Sequence, residues 1–150
     1  MNNFLYSQLI EPNLDNKETF LLLDDGKSFS YEEIISIASK ISHKLIKFGL
    51  KVGDHILVKA PKCKETIALY LSSIMTGAVY FPLNSNYTPI ETNYFVKDSK
   101  PAFLICEERA VSTASGFFPK TFGPNPPVRS IYRLPSKSVK YGPSAESIYI

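Results

Sequence analysis

One stretch, Lys59–Asn84 (KAPKCKETIALYLSSIMTGAVYFPLN), restricts the fold of this chain more than any other. Ile67, Leu71, Ile74 and Met75 recur at helical spacing, with Tyr70 beside them, which predicts an amphipathic helix from Lys64 to Met75. Gly77 follows the last turn, where a left-handed residue is wanted. Val79–Leu83 is then short, apolar and partly β-branched or aromatic, the composition of a strand covered on both faces of a parallel sheet. Pro82 cannot donate to a ladder and is expected at the strand's exit. Strand, helix, tight turn and strand in this order describe one unit of an α/β fold.

The flanking residues extend the pattern. His55–Lys59 reads as the preceding strand, entered through the Gly53-Asp54 turn. Thr88 is placed to cap a further helix, with Pro89 at its first position and Glu91 completing a capping box; that helix runs to about Lys97. Ala102–Cys106 follows as a third strand. β-α-β-α-β with short connections predicts a parallel sheet with right-handed crossovers. Upstream, Phe4, Leu5, Leu9 and Ile10 suggest a short helix ended by Glu11-Pro12. Thr19–Leu23 and Ser28-Phe29 bracket a turn, as in a hairpin. Ser30 and Glu33 form another capping box, with Phe29 and Ile34 as its hydrophobic staple. Ile34, Ile37, Ala38, Ile41, Leu45 and Phe48 mark one face of the helix that follows, and Gly49 ends it.

The regular pattern stops near residue 108. Residues 1–108 hold 11 Lys/Arg and 13 Asp/Glu, a net charge of −2, whereas residues 109–150 hold 6 basic residues and one acid, a net charge of +5. The formal +3 of the whole therefore belongs to the tail. Six of the eleven prolines and seven serines fall between 107 and 150, with no sustained period of 2 or 3.6. The expected organisation is an ordered subdomain over 1–108 and a Pro/Ser-rich basic tail over 109–150. Such a tail is either disordered or the product of a reading frame lost near Glu108–Val111.

The segments MNNFLYSQL, FSYEE, GLKVGD, LYLSSIMTGAVYFPLNSNYT and YFVKDSKPAFLIC occur in that order within residues 1–108. Together they resemble the N-terminal part of the adenylate-forming (AMP-dependent synthetase/ligase) enzymes. Within that superfamily they look most like malonyl-CoA synthetases. The resemblance implies the βαβαβ parallel-sheet part of the family's large domain. It also implies an ATP-dependent acid–CoA ligase acting through an acyl-adenylate, with ATP, Mg²⁺ and coenzyme A required and a small carboxylic acid as substrate. In such relatives the loop matching Asn86, Tyr87 and Thr88 lies close to the coenzyme A thiol arm. A basic residue after the next strand, loosely matched by Arg109, meets the nucleotide phosphate there. The Ser/Thr/Gly-rich phosphate loop, the ribose-binding aspartate and the catalytic lysine of the family have no counterpart in residues 1–108. Thr113–Lys120 (TASGFFPK) echoes the phosphate loop but places Phe117 and Phe118 where backbone must approach phosphate. No catalytic residue and no metal ligand is therefore expected in this chain.

Bland readings stand beside these. Thr88 and Pro89 suffice as a helix cap, with Tyr87 packed beneath. Lys59, Lys62 and Lys64 straddle a loop at a strand's carboxyl end, where α/β sheets bind ligands, yet a solvated basic loop explains them better. His43 and His55 share no neighbourhood with acids or cysteines. Cys63 and Cys106 are too few for a disulfide framework or zinc site, and a reducing, cytoplasmic compartment is the default. No apolar run approaches a membrane span, no signal-peptide pattern is seen at Met1-Asn2-Asn3, and neither nucleic acid nor membrane is an expected partner. The competing class is a non-catalytic binding or interaction module with a basic tail; a third is a translated pseudogene that never folds stably.

Overall fold

The structure, a computed structural model, describes residues 3–106 and 131–132. The chain divides into two compact units, Met1–Gly53 with Lys62–Ala78 and Asp54–Pro61 with Val79–Ile150.

The first unit opens on a π-helical turn, Tyr6–Ile10, that passes into a 3-10 turn, Glu11–Asn13. Pro12 does not end the turn where the sequence suggested, because proline is tolerated in a first turn, whose amides lack partners anyway. Of the four apolar residues expected to define this helix only Ile10 is buried, packing with Ile35 and Ile74. Strands β1 (Thr19–Leu22) and β2 (Ser28–Ser30) form the expected antiparallel hairpin, with a bulge between Thr19 and Leu21. Lys27 donates to Asp25 across the turn at 2.7 Å, and that bond holds the Asp25 carboxyl below its ordinary value.

Helix α1 (Tyr31–Lys47) begins at Ser30 as its capping box predicts. Ser30 Oγ accepts from the Glu33 amide at 3.2 Å, and Glu33 Oε2 accepts from the Ser30 amide at 2.8 Å. Ile34, Ile35, Ala38, Ile41, Ser42 and Leu45 are its buried stripe. Helix α2 (Lys64–Thr76) ends at Gly77, whose φ of 67° is left-handed. Its buried face is broader than the expected one: Ile74 is buried and Leu71 and Met75 pack beside it as expected, but Ala68, Leu69, Ser72 and Ser73 are buried too, while Tyr70 is 43% exposed. The cause lies in small side chains. Ser42 Oγ of α1 stands 3.0 Å from Ser72 Oγ, and Ser73 Oγ donates to its own helix at Leu69 O, 3.0 Å away. Serines that satisfy their hydroxyls locally let two helices approach closely.

The second unit is a parallel sheet in the order β4-β3-β5-β6, made of β3 (His55–Lys59), β4 (Val79–Pro82), β5 (Phe103–Cys106) and β6 (Ile131–Tyr132). Helix α3 (Pro89–Ser99) stands between β4 and β5 in the chain. The three expected strands are present. Ile131–Tyr132, inside the stretch read as patternless, adds a fourth on the β5 side; two apolar residues between Arg129-Ser130 and Arg133 were too short a run to register. The remainder of 107–150 lies outside the described residues.

β4 corrects one expectation. Its faces are not both covered, since Val79 is 43% exposed and no residue of the strand is buried; it also stands at an edge of the described sheet. The fully apolar interior belongs to β3 and β5, in which Ile56, Leu57, Phe103, Leu104 and Ile105 are almost completely buried. The edge position explains Pro82. Val79 N–H donates to Asp54 O at 2.8 Å and Leu83 N–H to Val58 O at 2.7 Å. Donors two and four residues apart face the same way, so the N–H that Pro82 lacks would have pointed away from β3. Beneath α3, Leu57, Leu83, Val96 and Leu104 form one cluster, with Phe81, Tyr87 and Phe95 packed against it.

Candidate functional site

Parallel register brings three chain exits to one end of the sheet. Val58 lies opposite Pro82, and Lys59 opposite Cys106. The carboxyl ends of β3, β4 and β5 therefore share one edge, the place where open α/β sheets bind ligands. The loop leaving β4 crosses this edge and enters α3 directly.

That loop, Asn84–Thr88, is a built turn. Tyr87 N–H donates to Asn84 O at 3.1 Å, and Asn86 N–H donates to Asn84 Oδ1 at 3.0 Å, so asparagine closes the turn twice. Thr88 is then the N-cap, as read from the sequence: its Oγ1 accepts from the Glu91 amide at 3.3 Å, and its own amide donates to Glu91 Oε2 at 2.7 Å. The Thr88 hydroxyl also donates to that carboxylate, at 2.8 Å. These bonds from Thr88, backbone first, and then the charge of Lys59 hold the Glu91 carboxyl below its ordinary value.

Tyr87 is held from two sides. Its ring stacks on Phe95 with centroids 5.4 Å apart and planes 11° apart. Its carbonyl accepts a hydrogen bond from the Lys59 ammonium. Lys59 is thus not part of a solvated basic loop, since it ends β3 half-buried with a backbone partner. Lys62 is exposed, and Lys64 lies 4.5 Å above the Phe29 ring. The sequence reading gave Glu91 only a capping role and overlooked the Lys59–Tyr87 pairing. A lysine closing an otherwise apolar strand, HILVK, was the available signal.

Of the residues assigned to the site, Asn86 is exposed, Tyr87 half-buried and Thr88 exposed at the helix start. Arg109 and Thr113–Lys120 lie outside the described residues. His43 is exposed on α1, and His55 Nδ1 lies 2.7 Å from Ser99 O, tying the start of β3 to the end of α3. Cys63 heads α2 half-buried, and Cys106 is buried at the end of β5. Among the described residues no three His, Cys, Asp or Glu side chains stand together as a metal site, and no helix is long and apolar enough to cross a membrane.

The arrangement defines what the loop can hold. The dipole at the N-terminus of α3 favours negative charge, but Glu91 already supplies it, and Pro89 removes one amide donor. The loop itself is exposed at Asn84, Ser85 and Asn86, whose side chains are polar and uncharged. It suits a neutral, hydrogen-bonding chain better than a phosphate.

Comparison with known proteins gives concordant results. The family described as AMP-binding enzyme matches residues 12–137. A 2-succinylbenzoate–CoA ligase of Oceanobacillus iheyensis is 33% identical over 85 residues, which are 57% of this chain and 18% of that protein. Malpibaldin synthetase of Mortierella alpina is 28% identical over 109 residues, 72% of this chain and 2% of the relative. Among solved structures, ATP-bound MatB from Rhodopseudomonas palustris is 30% identical, with a TM-score of 0.72 over 77% of this chain and 23% of its own. A benzoate CoA ligase from Burkholderia xenovorans shares the fold at 17% identity, with a TM-score of 0.73 over 87% of this chain and 26% of its own. The chain thus spans under a fifth of those two curated relatives and about a quarter of the solved neighbours.

Proposed function

Because this chain belongs to the AMP-binding enzyme family, we propose that it is the opening part of an ATP-dependent acid–CoA ligase acting on malonate or another short carboxylic acid. In that reaction the carboxylate attacks the α-phosphorus of ATP and releases pyrophosphate. The coenzyme A thiol then takes the acyl group and AMP leaves. Mg²⁺, when bound, would offset phosphate charge in the first step; no residue of this chain is assigned to hold it. The choice of malonate rests on the resemblance of the GAVYFPLNSNYT and YFVKDSKPAFLIC segments to malonyl-CoA synthetases. Reliance on ATP and coenzyme A, together with two free cysteines, favours a cytoplasmic setting.

The observation that supports the reading is the Asn84–Thr88 loop at the carboxyl edge of the sheet; on resemblance alone we assign it to the family's coenzyme A-proximal loop. Its near-neutral, amide-lined character fits the thiol arm of coenzyme A, which is itself a neutral chain of amides. Asn86, Tyr87 and Thr88 are the residues proposed to meet it. Arg109 is retained as the proposed phosphate-side residue on resemblance alone.

The family's phosphate loop has no counterpart in the sequence of residues 1–108, so no step of the phosphoryl chemistry is assigned to them. We therefore expect the 150 residues alone to release no pyrophosphate from ATP, because positioning and charge compensation supply much of the rate in such reactions. The family match does not favour the alternative, a non-catalytic interaction module. Titrating coenzyme A into ¹⁵N-labelled chain tests the site: amides of Asn86, Tyr87 and Thr88 should shift together and saturate. Shifts scattered elsewhere, or none, would overturn the assignment.

A further inference from the structure

We infer that Lys59 is a positioning residue for the Asn84–Thr88 loop, its ammonium holding the Tyr87 carbonyl at the sheet edge and so fixing where Asn86 and Thr88 stand. As a contribution to ligand binding this rests on the reading of that loop given above; as geometry it stands on the structure itself.

Three observations support it. First, Lys59 is the last residue of an interior strand and is held in the ladder opposite Cys106, with Val58 beside it paired on both sides. A side chain anchored there can act as a reference for a loop that is otherwise exposed at Asn84, Ser85 and Asn86. Second, the bond goes to a backbone carbonyl, not to a side chain. A carbonyl at position 87 fixes the peptide plane leading into Thr88, and with it the amide that donates to Glu91. Third, the Tyr87 ring is fixed independently by stacking on Phe95. Backbone and ring are thus tied to two different elements, β3 and α3, which leaves the turn little freedom. The Lys59 charge also acts on Glu91, which joins strand end, loop and helix start in one electrostatic group. Charge-assisted bonds of this kind are roughly twice as strong as neutral ones.

Lysine is well suited to this work. The four-carbon stem runs along apolar surface while the head reaches a polar partner. A shorter polar residue could not span from the strand end to the loop, and an apolar one would leave the carbonyl without a charged donor.

The test uses Lys59→Met, which keeps the stem and removes the charge, and Lys59→Arg, which restores it. Hydrogen exchange at Asn86, Tyr87 and Thr88 amides and an NMR titration of the Glu91 carboxyl are followed in the full chain. Lys59→Met should speed exchange at these amides about tenfold, the size expected for loss of a hydrogen bond to a charged donor. It should also move the Glu91 titration up, toward the ordinary glutamate value. Lys59→Arg should reverse both effects in large part. If Lys59→Met leaves exchange and titration unchanged, or if Lys59→Arg behaves as Lys59→Met does, the inference is wrong. A role confined to packing of the stem would move neither readout in Lys59→Met. Failure of the wild-type chain to shift on adding coenzyme A would count against the ligand assignment alone, since both Lys59 readouts are made without ligand.

Discussion

Replacing Gly77 by alanine separates two costs that the structure allows to be estimated apart. Gly77 closes α2 with φ +67°, and its amide donates to Ile74 O at 3.2 Å while the Ala78 amide donates to Ser73 O at 3.0 Å. An L-residue in this conformation costs on the order of 1 kcal/mol. A Cβ at Gly77 would also meet Val52 Cγ1 at 3.2 Å, tighter than ordinary contact. Val52 is 75% exposed and ends in two methyl groups with solvent beside them, so it can move at little cost. Gly77→Ala should therefore destabilise by about 1–1.5 kcal/mol, most of it conformational. Gly53→Ala is the control: its φ of +84° is also left-handed, but nothing lies within 4 Å of an added Cβ. Urea midpoints for Gly77→Ala, Gly53→Ala and Gly77→Ala in a Val52→Ala background give the comparison. The two single variants should agree within about 0.5 kcal/mol, and Val52→Ala should recover only that difference. A Gly77→Ala cost above about 3 kcal/mol that Val52→Ala relieves would refute the estimate, because sterics and not backbone conformation would then dominate. No cost at all would mean that α2 does not end in a left-handed residue.

Other expectations follow from single sites. Ser30→Ala and Thr88→Ala should each cost about 1 kcal/mol in denaturant unfolding, through a lost bond to an orphan helix amide. Lys100 adopts a left-handed φ of 44° immediately before Pro101, a strained position for a side-chain-bearing residue, so Lys100→Gly should raise stability by about 1 kcal/mol. The Glu91 value is lowered in the folded chain from 4.5, so its contribution is complete above that pH and lost as the pH falls through the folded value. Glu91→Gln should flatten that part of the stability-versus-pH curve and leave the neutral arm of the curve without a slope from this group.

The legible part of the fold was whatever local chemistry determines. Ser30 with Glu33, Thr88 with Glu91, and Gly77 each announced a helix end, because caps depend on residues three or four apart. The three central strands were visible as apolar runs between turn signals. What escaped depended on partners distant in sequence. Part of the buried face of α2 was missed because Ser72 and Ser73 count as polar in any periodicity, yet a serine can be buried when its hydroxyl is bonded to its own helix, as Ser73 is, or to a neighbouring serine, as Ser72 is. β4 read as covered on both faces because its composition is apolar; its exposure at Val79 depends on what packs over it, which hydrophobicity does not encode. β6 was missed because a two-residue strand has no period. The strand–loop–helix pattern was enough to place Asn86, Tyr87 and Thr88 in the loop between β4 and α3; that they bind a ligand remains a proposal. Lys59 closing the strand HILVK was a visible signal, but its partner was not, since the Tyr87 carbonyl it holds is 28 residues away.

The central claim is tested most directly by substitution into a solved structural neighbour that binds ATP, once that protein has been shown to release pyrophosphate under the same assay. Residues 1–106 of this chain should replace the matching opening segment of Rhodopseudomonas palustris MatB, with which they share the fold at 30% identity. Pyrophosphate release is then followed with ATP, Mg²⁺, coenzyme A and malonate. The account expects the chimera to release pyrophosphate in an acid-dependent manner while the 150-residue chain alone releases none. A folded chimera without that activity would contradict the assignment of these residues to a ligase, and release by the 150-residue chain alone would contradict the proposal that the phosphoryl chemistry lies outside them.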